Sequence, residues 1–314
     1  SRGASRVSLS HYILYVSFFP QLLLGPILRI REFTPWLSNT AAQNFSGKNL
    51  ALGLSIFFIG LFKKVVIADG MGIYATPIFY AAAVGVSLSF YEAWGGAIAY
   101  SLQIYFDLSS YADMAIGIGF IFGIKIPLNF MSPYKARSLI EFWRRWHITF
   151  TKFLKDYVYV SLGGNRTAPF RHYINLLLTV LIGAFLHGFA WTFIWWGVFH
   201  SFLLVINHAW RQLCGRYGIH LEYKLWSVIS HVVTFIALIV GWVFFGADST
   251  EAALRQLSAM AGMNGIALPN ALSGNIGSLE IWLGQYGINF SGVYLPTGIK
   301  QWGFGFLFIP IVLV

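Results

Sequence analysis

Charge is what this chain has least of. Asp, Glu, Lys and Arg make up 10% of its 314 residues, hydrophobic residues make up 57%, and only 11 side chains are acidic. That balance excludes an ordinary soluble domain, and a mean hydropathy of +0.66 places the chain among polytopic membrane proteins. Cysteine is nearly absent too: Cys214 stands alone, so no internal disulfide can form and thiol content says nothing of the compartment. The shortage of acid leaves a net charge of +10. A basic excess of that size would suit nucleic acid, but the lysines and arginines lie between apolar runs rather than on one soluble face. Positive-inside topology accounts for them, and no nucleic-acid partner is expected.

The stretch from Tyr173 to Trp210 has no Asp, Glu, Lys or Arg at all. At about 1.5 Å per helical residue it exceeds one crossing of a ~30 Å hydrocarbon core, so it holds two spans or one broken helix. His187 then falls near mid-membrane. An ionisable group there is costly unless it faces a bundle interior or a wet cavity, which makes it a candidate functional residue. A hydrogen bond to a neighbouring helix is the plainer alternative. Gly188 and Ala190 leave space for another group to approach, so a cavity beside the imidazole is expected. A desolvated imidazole is neutral near pH 7 and can accept a proton, as a general base must.

Apolar runs of spanning length lie at about 10–28, 50–68, 71–90, 95–124, 173–195, 196–210 and 226–247, with a further run from about 302. We read these as seven or eight membrane segments in an all-α bundle. Pro20, Gly25 and Pro26 predict that the first is re-entrant or kinked. Residues 123–172 carry nine basic residues against Glu141 and Asp156, and are expected to face the cytoplasm. Counting back from there puts Arg29, Arg31 and Lys48 on the opposite side, a conflict that fits a re-entrant first run or a missing N-terminal part. Residues 248–300 are expected to be an extracytoplasmic loop, apart from a helical pattern at 249–262 started by Ser249 or Thr250. A start at Ser1 and the run Phe304 to Val314 suggest a single membrane domain, 1–314, cut from a longer protein.

Three further constellations could carry chemistry. As a helix, Phe142-Trp143-Arg144-Arg145-Trp146-His147 puts Trp143 and His147 on one face and Trp146, Phe150, Phe153 and Tyr157 on another. It could be an interfacial anchor in contact with membrane lipid, or Arg144, Arg145, Lys152 and Lys155 could receive an anionic donor beside His147. Gly163-Gly164-Asn165-Arg166 is a turn signal and a weak phosphate-loop signal. Asp107 and Asp113 lie in an apolar segment; hydroxyls or an arginine from 135–155 would satisfy them in a structural network, and a proton path or substrate cavity is the alternative. Metal ligation has no support, because His187 and His200 have no ligand spacing and no cysteine cluster accompanies them.

Taken in order, FFPQLLLGPILRIR (18–31), QIYFDLSSYADMAIG (103–117), NFMSPY (129–134), EFWRRWH (141–147), FLKDYVYVSLGGNR (153–166), LHGFAW (186–191) and GWVFFGA (241–247) resemble the membrane-bound O-acyltransferase family. Within it, the chain is similar to the bacterial branch that acetylates alginate. One position departs: Gly246 stands where that pattern leads us to expect an arginine.

The resemblance implies a multi-pass protein of the bacterial inner membrane that transfers an acyl group, acetyl above all. The donor would be cytoplasmic acetyl-CoA or another acyl thioester, with no metal. The acceptor would be an exopolysaccharide hydroxyl or a periplasmic carrier, and the partners a periplasmic acetyltransferase or polysaccharide-secretion components. It makes His187 and His147 the candidate catalytic residues, with Trp143, Arg144, Arg145, Asp107 and Asn165 as candidate substrate contacts. A proton-coupled transporter or channel relaying through Asp107, Asp113 and His187 is the competing reading, and a non-catalytic scaffold of a secretion complex a third.

Overall fold

A computed structural model of the chain describes residues 8–21, 25–37, 46–164, 166, 168–218, 224–268, 273, 277–285 and 288–290. The architecture is all-α. Among the described residues the only strands are β1 (Ile266–Ala267) and β2 (Ile288–Asn289), paired in parallel. The run expected from about 302 lies outside the described residues.

The first apolar run is broken, as its prolines and glycine predict. Helix α1 (Leu9–Ser17) gives way to a 3-10 turn at Phe19–Gln21, and a Cβ on Gly25 would collide with the Pro20 carbonyl oxygen. Helix α2 (Ile30–Leu37) follows. Arg29 beside it pairs with Asp156 at 2.5 Å, and Lys125 lies over the Trp36 ring at 5.7 Å. These contacts bring Arg29 and Trp36 against residues of the basic segment 123–172.

Helix α3 (Gly47–Phe62), capped by Ser46, runs through a π turn at Lys63–Ala68 straight into α4 (Asp69–Ala83). The runs at 50–68 and 71–90, expected as separate segments, therefore form one element, Gly47–Ala83. Its 37 residues reach about 55 Å. The π turn sits where Lys63 and Lys64 reach Asp113 at 2.8 Å and Asp107 at 2.7 Å, both on the antiparallel α5 (Phe90–Ile121). Lysines, not arginines of 135–155, thus satisfy these two carboxylates. Small residues let the rods touch: a Cβ on Gly53 would meet the Gly117 carbonyl oxygen at 2.6 Å, and one on Gly60 would meet that of Ser110 at 2.9 Å.

Part of the segment that follows α5 enters the interior. Helix α6 (Leu139–Arg145) packs into the core formed with α5, α8 (Pro169–His187), α9 (Trp191–Tyr217) and α10 (Lys224–Gly246), and α7 (Ile148–Leu154) follows it, leading into a π turn at Lys155–Tyr159 that has no buried residue. The break in the charge-free stretch falls at Gly188–Ala190, earlier than the 195/196 boundary drawn from hydropathy. A Cβ on Gly188 would lie 2.6 Å from the Phe193 ring, so the tight turn depends on glycine there.

Helix α11 (Thr250–Met260) starts at Ser249, whose side chain accepts a hydrogen bond from the Ala252 amide, as the sequence pattern predicts. One face of this helix is covered by the bundle and the other is exposed. Ala252, Ala253, Gln256, Ala259 and Met260 are buried, and Arg255 donates to the Ala82 and Ala83 carbonyls that end α4. Helix α12 (Ser278–Gln285) ends the described helices. Among the described residues, four elements are long and apolar enough to cross a membrane: Gly47–Ala83, Phe170–His187, Trp191–Tyr217 and Lys224–Gly246.

Candidate active site

The helix expected through EFWRRWH is broken at its histidine. Trp146 is extended, and His147 takes up left-handed backbone at φ 43° and ψ 54° before capping α7. Left-handed backbone is costly for a side chain of this kind and persists only where its surroundings hold it. Residues 129–131 supply the hold. The Ile148 amide donates to the Asn129 carbonyl at 2.8 Å, and the Met131 amide donates to the Arg145 carbonyl at 2.9 Å. The Asn129 Oδ1 accepts from the Thr149 amide at 3.1 Å and from the Thr149 hydroxyl at 2.9 Å. The backbone groups freed by the break are thereby paired from a segment laid across it.

His187 arrives from the other direction, as the last residue of α8. The Phe150 ring stands between the two imidazoles, its centroid 5.0 Å from His147 and 5.5 Å from His187. Trp196 (5.9 Å) and Phe245 (5.4 Å) complete the wall around His187. This layer lies level with the middle of α5, since Trp146 packs 6.1 Å from Tyr105 and a Cβ on Gly246 would touch the Tyr100 ring. His187 is therefore at a helix end and yet at mid-height of the bundle. Beyond it the turn is open, with Phe189 91% exposed.

Burial pushes the His147 imidazole down to about 4, and the neighbouring His187 adds to the push. The ring is neutral at ordinary pH. Its Nδ1 is buried without a hydrogen-bond partner among the described residues, as are the indole nitrogens of Trp143 and Trp196. An enclosed polar atom with no partner is a place where a substrate group or water binds.

The structure gathers some of the expected residues and separates others. Trp143 joins the layer, 5.8 Å from Trp196. Arg145 turns back to Glu141 at 2.7 Å and to the Met131 carbonyl, so it braces the break, and Arg144 is exposed. Asp107 is held by Lys64 and has no ring contact with the histidine layer. Asn165 lies outside the described residues. Hydropathy missed His200, which is 0% exposed, has neither ring nitrogen paired among the described residues, and sits against Trp143 at 5.4 Å and Trp196 at 5.0 Å. Its place in the charge-free stretch was the available signal.

Gly246 is explained by packing. A Cβ there would lie 2.6 Å from the Tyr100 ring and 2.9 Å from Phe79, two rings paired at 4.8 Å, so an arginine cannot be seated without moving them. Among the described residues no three His, Cys, Asp or Glu side chains gather as metal ligands.

The bundle thus carries two histidines to one enclosed aromatic layer. The chain belongs to the membrane-bound O-acyltransferase family, whose profile matches residues 2–247. It is 47% identical over 264 residues to a peptidoglycan O-acetyltransferase of Helicobacter pylori, covering 83% of this chain and 49% of that protein. It is 38% identical over 274 residues to a probable alginate O-acetylase of Azotobacter vinelandii, covering 87% and 52%. A teichoic acid D-alanyltransferase of Bacillus subtilis is more distant, 27% identical over 249 residues, covering 75% and 61%. The chain thus spans about half the length of the O-acetylating relatives it matches.

Proposed function

We propose that the protein transfers an acetyl group from a cytoplasmic thioester, acetyl-CoA or a comparable donor, to a hydroxyl of a cell-envelope glycan or of a periplasmic carrier at the bacterial inner membrane. His187 takes the proton of the acceptor hydroxyl as its oxygen attacks the thioester carbonyl. The C–S bond then breaks, and the departing thiolate recovers that proton from the imidazolium. A positioned imidazole is worth about 10²–10⁴-fold in such a step. His147, neutral and held in left-handed backbone, orients the donor, with Trp143 beside it. The observation that carries this reading is the meeting of His147 and His187 across one phenyl ring at mid-height of the bundle. Identities of 47% and 38% favour peptidoglycan over alginate as the acceptor.

A proton relay through Asp107 and Asp113 is disfavoured because both carboxylates are tied to lysines. The full-length protein in liposomes separates the two functions. Acetyl-CoA added outside should yield O-acetylated glycan fragments and free thiol. Solute or proton flux with no thioester cleavage would refute the acyltransferase reading.

A further inference from the structure

Acyl transfer as described leaves one charge without a recipient. While His187 takes the proton of the attacking hydroxyl, the thioester carbonyl oxygen gains negative charge, and a fixed donor aimed at that oxygen is a large part of catalysis in such steps. Three rings wall His187: Phe150, Trp196 and Phe245. Of these only Trp196 carries a hydrogen-bond donor.

Trp196 meets His187 edge to face, at 89° with centroids 5.9 Å apart. It is 4% exposed, and its Nε1 is enclosed without a partner among the described residues. An indole nitrogen donates and cannot accept, so the group that satisfies it must be an acceptor. Its polar neighbours on the inner side supply few. Trp143, 5.8 Å away, is another donor with its own Nε1 unpaired, and His200, 5.0 Å away, offers one acceptor nitrogen in its neutral form. Buried donors outnumber acceptors here, a balance that suits a carbonyl oxygen or an oxyanion.

The indole is also held in place. It stacks on Trp242 at 23° and stands edge-on to Phe245 at 5.4 Å. His200, one turn further along α9, backs it, and lies so close to α10 that a Cβ on Gly241 would be 2.5 Å from its Nε2. A donor fixed in this way needs no reorganisation as charge develops. His187, Phe189 and Ala190 are exposed at the turn, so a group that reaches His187 from there has Trp196 as its inner wall.

We propose that Trp196 is a further catalytic residue, whose indole N–H holds the carbonyl oxygen of the acyl group while His187 serves the attacking hydroxyl. The proposal rests on the acyl-transfer reading above. The indole keeps its proton throughout. Its hydrogen bond tightens as the carbonyl becomes the oxyanion and relaxes when the C–S bond breaks and the carbonyl re-forms.

The test replaces Trp196 of the full-length protein with benzothienylalanine, which keeps the fused ring and puts sulfur in place of the N–H. In liposomes with acetyl-CoA and a glycan fragment, kcat should fall about 10²-fold with KM and melting temperature near wild type. The same replacement at Trp242, whose ring contacts do not include His187, should leave kcat within a few-fold of wild type. Wild-type kcat in the Trp196 protein would overturn the proposal, as would an equal loss at both positions or a change confined to KM and melting temperature. Infrared spectra give a second readout. Acetyl-CoA bound to His187→Gln should show a lower thioester carbonyl stretch than when the same protein carries benzothienylalanine at position 196, and coincident bands would also overturn the proposal. The two readings fail separately. Full transfer by His187→Gln beside a slow Trp196 variant would sink the base assignment and leave the indole its role, whereas a wild type that transfers nothing would remove both.

Discussion

Asn129→Ala tests whether the left-handed turn at His147 is held from outside its own helix. Asn129 is 1% exposed, and its Oδ1 is the sole side-chain acceptor for the Thr149 amide and one partner of the Thr149 hydroxyl. Truncation removes two hydrogen bonds at about 1 kcal/mol each, and leaves a buried amide unpaired at a further ~1–3 kcal/mol. The hydroxyl keeps one bond, from the Ile27 amide at 3.0 Å. The expected loss is therefore about 3–5 kcal/mol, with His147 displaced from Phe150 and acetyl transfer falling even in the protein that remains folded. Thermal unfolding in detergent gives the first quantity, and glycan-bound acetate per folded molecule gives the second. A double-mutant cycle with Thr149→Val should show coupling near 1 kcal/mol, because both changes remove the same contact. Additive effects, or full transfer by folded Asn129→Ala, would refute the claim that this asparagine fixes the turn.

Other consequences follow from the same geometry. Gly246→Arg forces the Tyr100 and Phe79 rings apart and should destabilise by about 1–3 kcal/mol, read as a lower melting temperature; an unchanged melting temperature would mean the rings yield freely. Lys64→Met leaves Asp107 and Asp69 without their shared cation and should lower stability, whereas exchanging Lys64 for Arg should largely preserve it. The Arg29 guanidinium holds the Asp156 carboxyl below the usual carboxylate range, so their bridge stabilises the fold above about pH 4 and is lost as pH falls further. His147 has the same sign for a different reason. Its lowered folded value, about 4 against an ordinary 6.5, means the unfolded chain takes up the proton first, so stability declines as pH drops from about 6.5 toward 4. Asp156→Asn should flatten the lower part of a melting-temperature profile against pH and leave the upper part intact.

How legible these features are in sequence depends on how far each one's cause lies from it. The spans α8, α9 and α10 follow from local hydropathy, and Ser249 announces α11 through its own hydroxyl. His187 stands out because nothing near it in sequence is charged. The turn at His147 is different: its φ is fixed by Asn129, a residue from another segment, so the local pattern reads as an unbroken amphipathic helix. The fusion of 50–68 with 71–90 was hidden because Asp69 and Gly70 look like a boundary, whereas Asp69 is neutralised by Lys64 at 2.7 Å and Gly70 has open space around it. The pairing of Asp107 with Lys64 required knowing that α3 and α5 lie side by side. The concavity lined by Arg29, Arg31, Lys125 and Lys152 was invisible for the same reason, since its walls come from four separate segments.

The central claim is that His187 is the base for acyl transfer. The most direct measurement is mass spectrometry of base-released acetate from envelope glycan in cells whose only copy is His187→Gln, matched to wild type for folded protein in the membrane. The account predicts acetate at the level of cells lacking the protein. Wild-type acetate from that variant would contradict it.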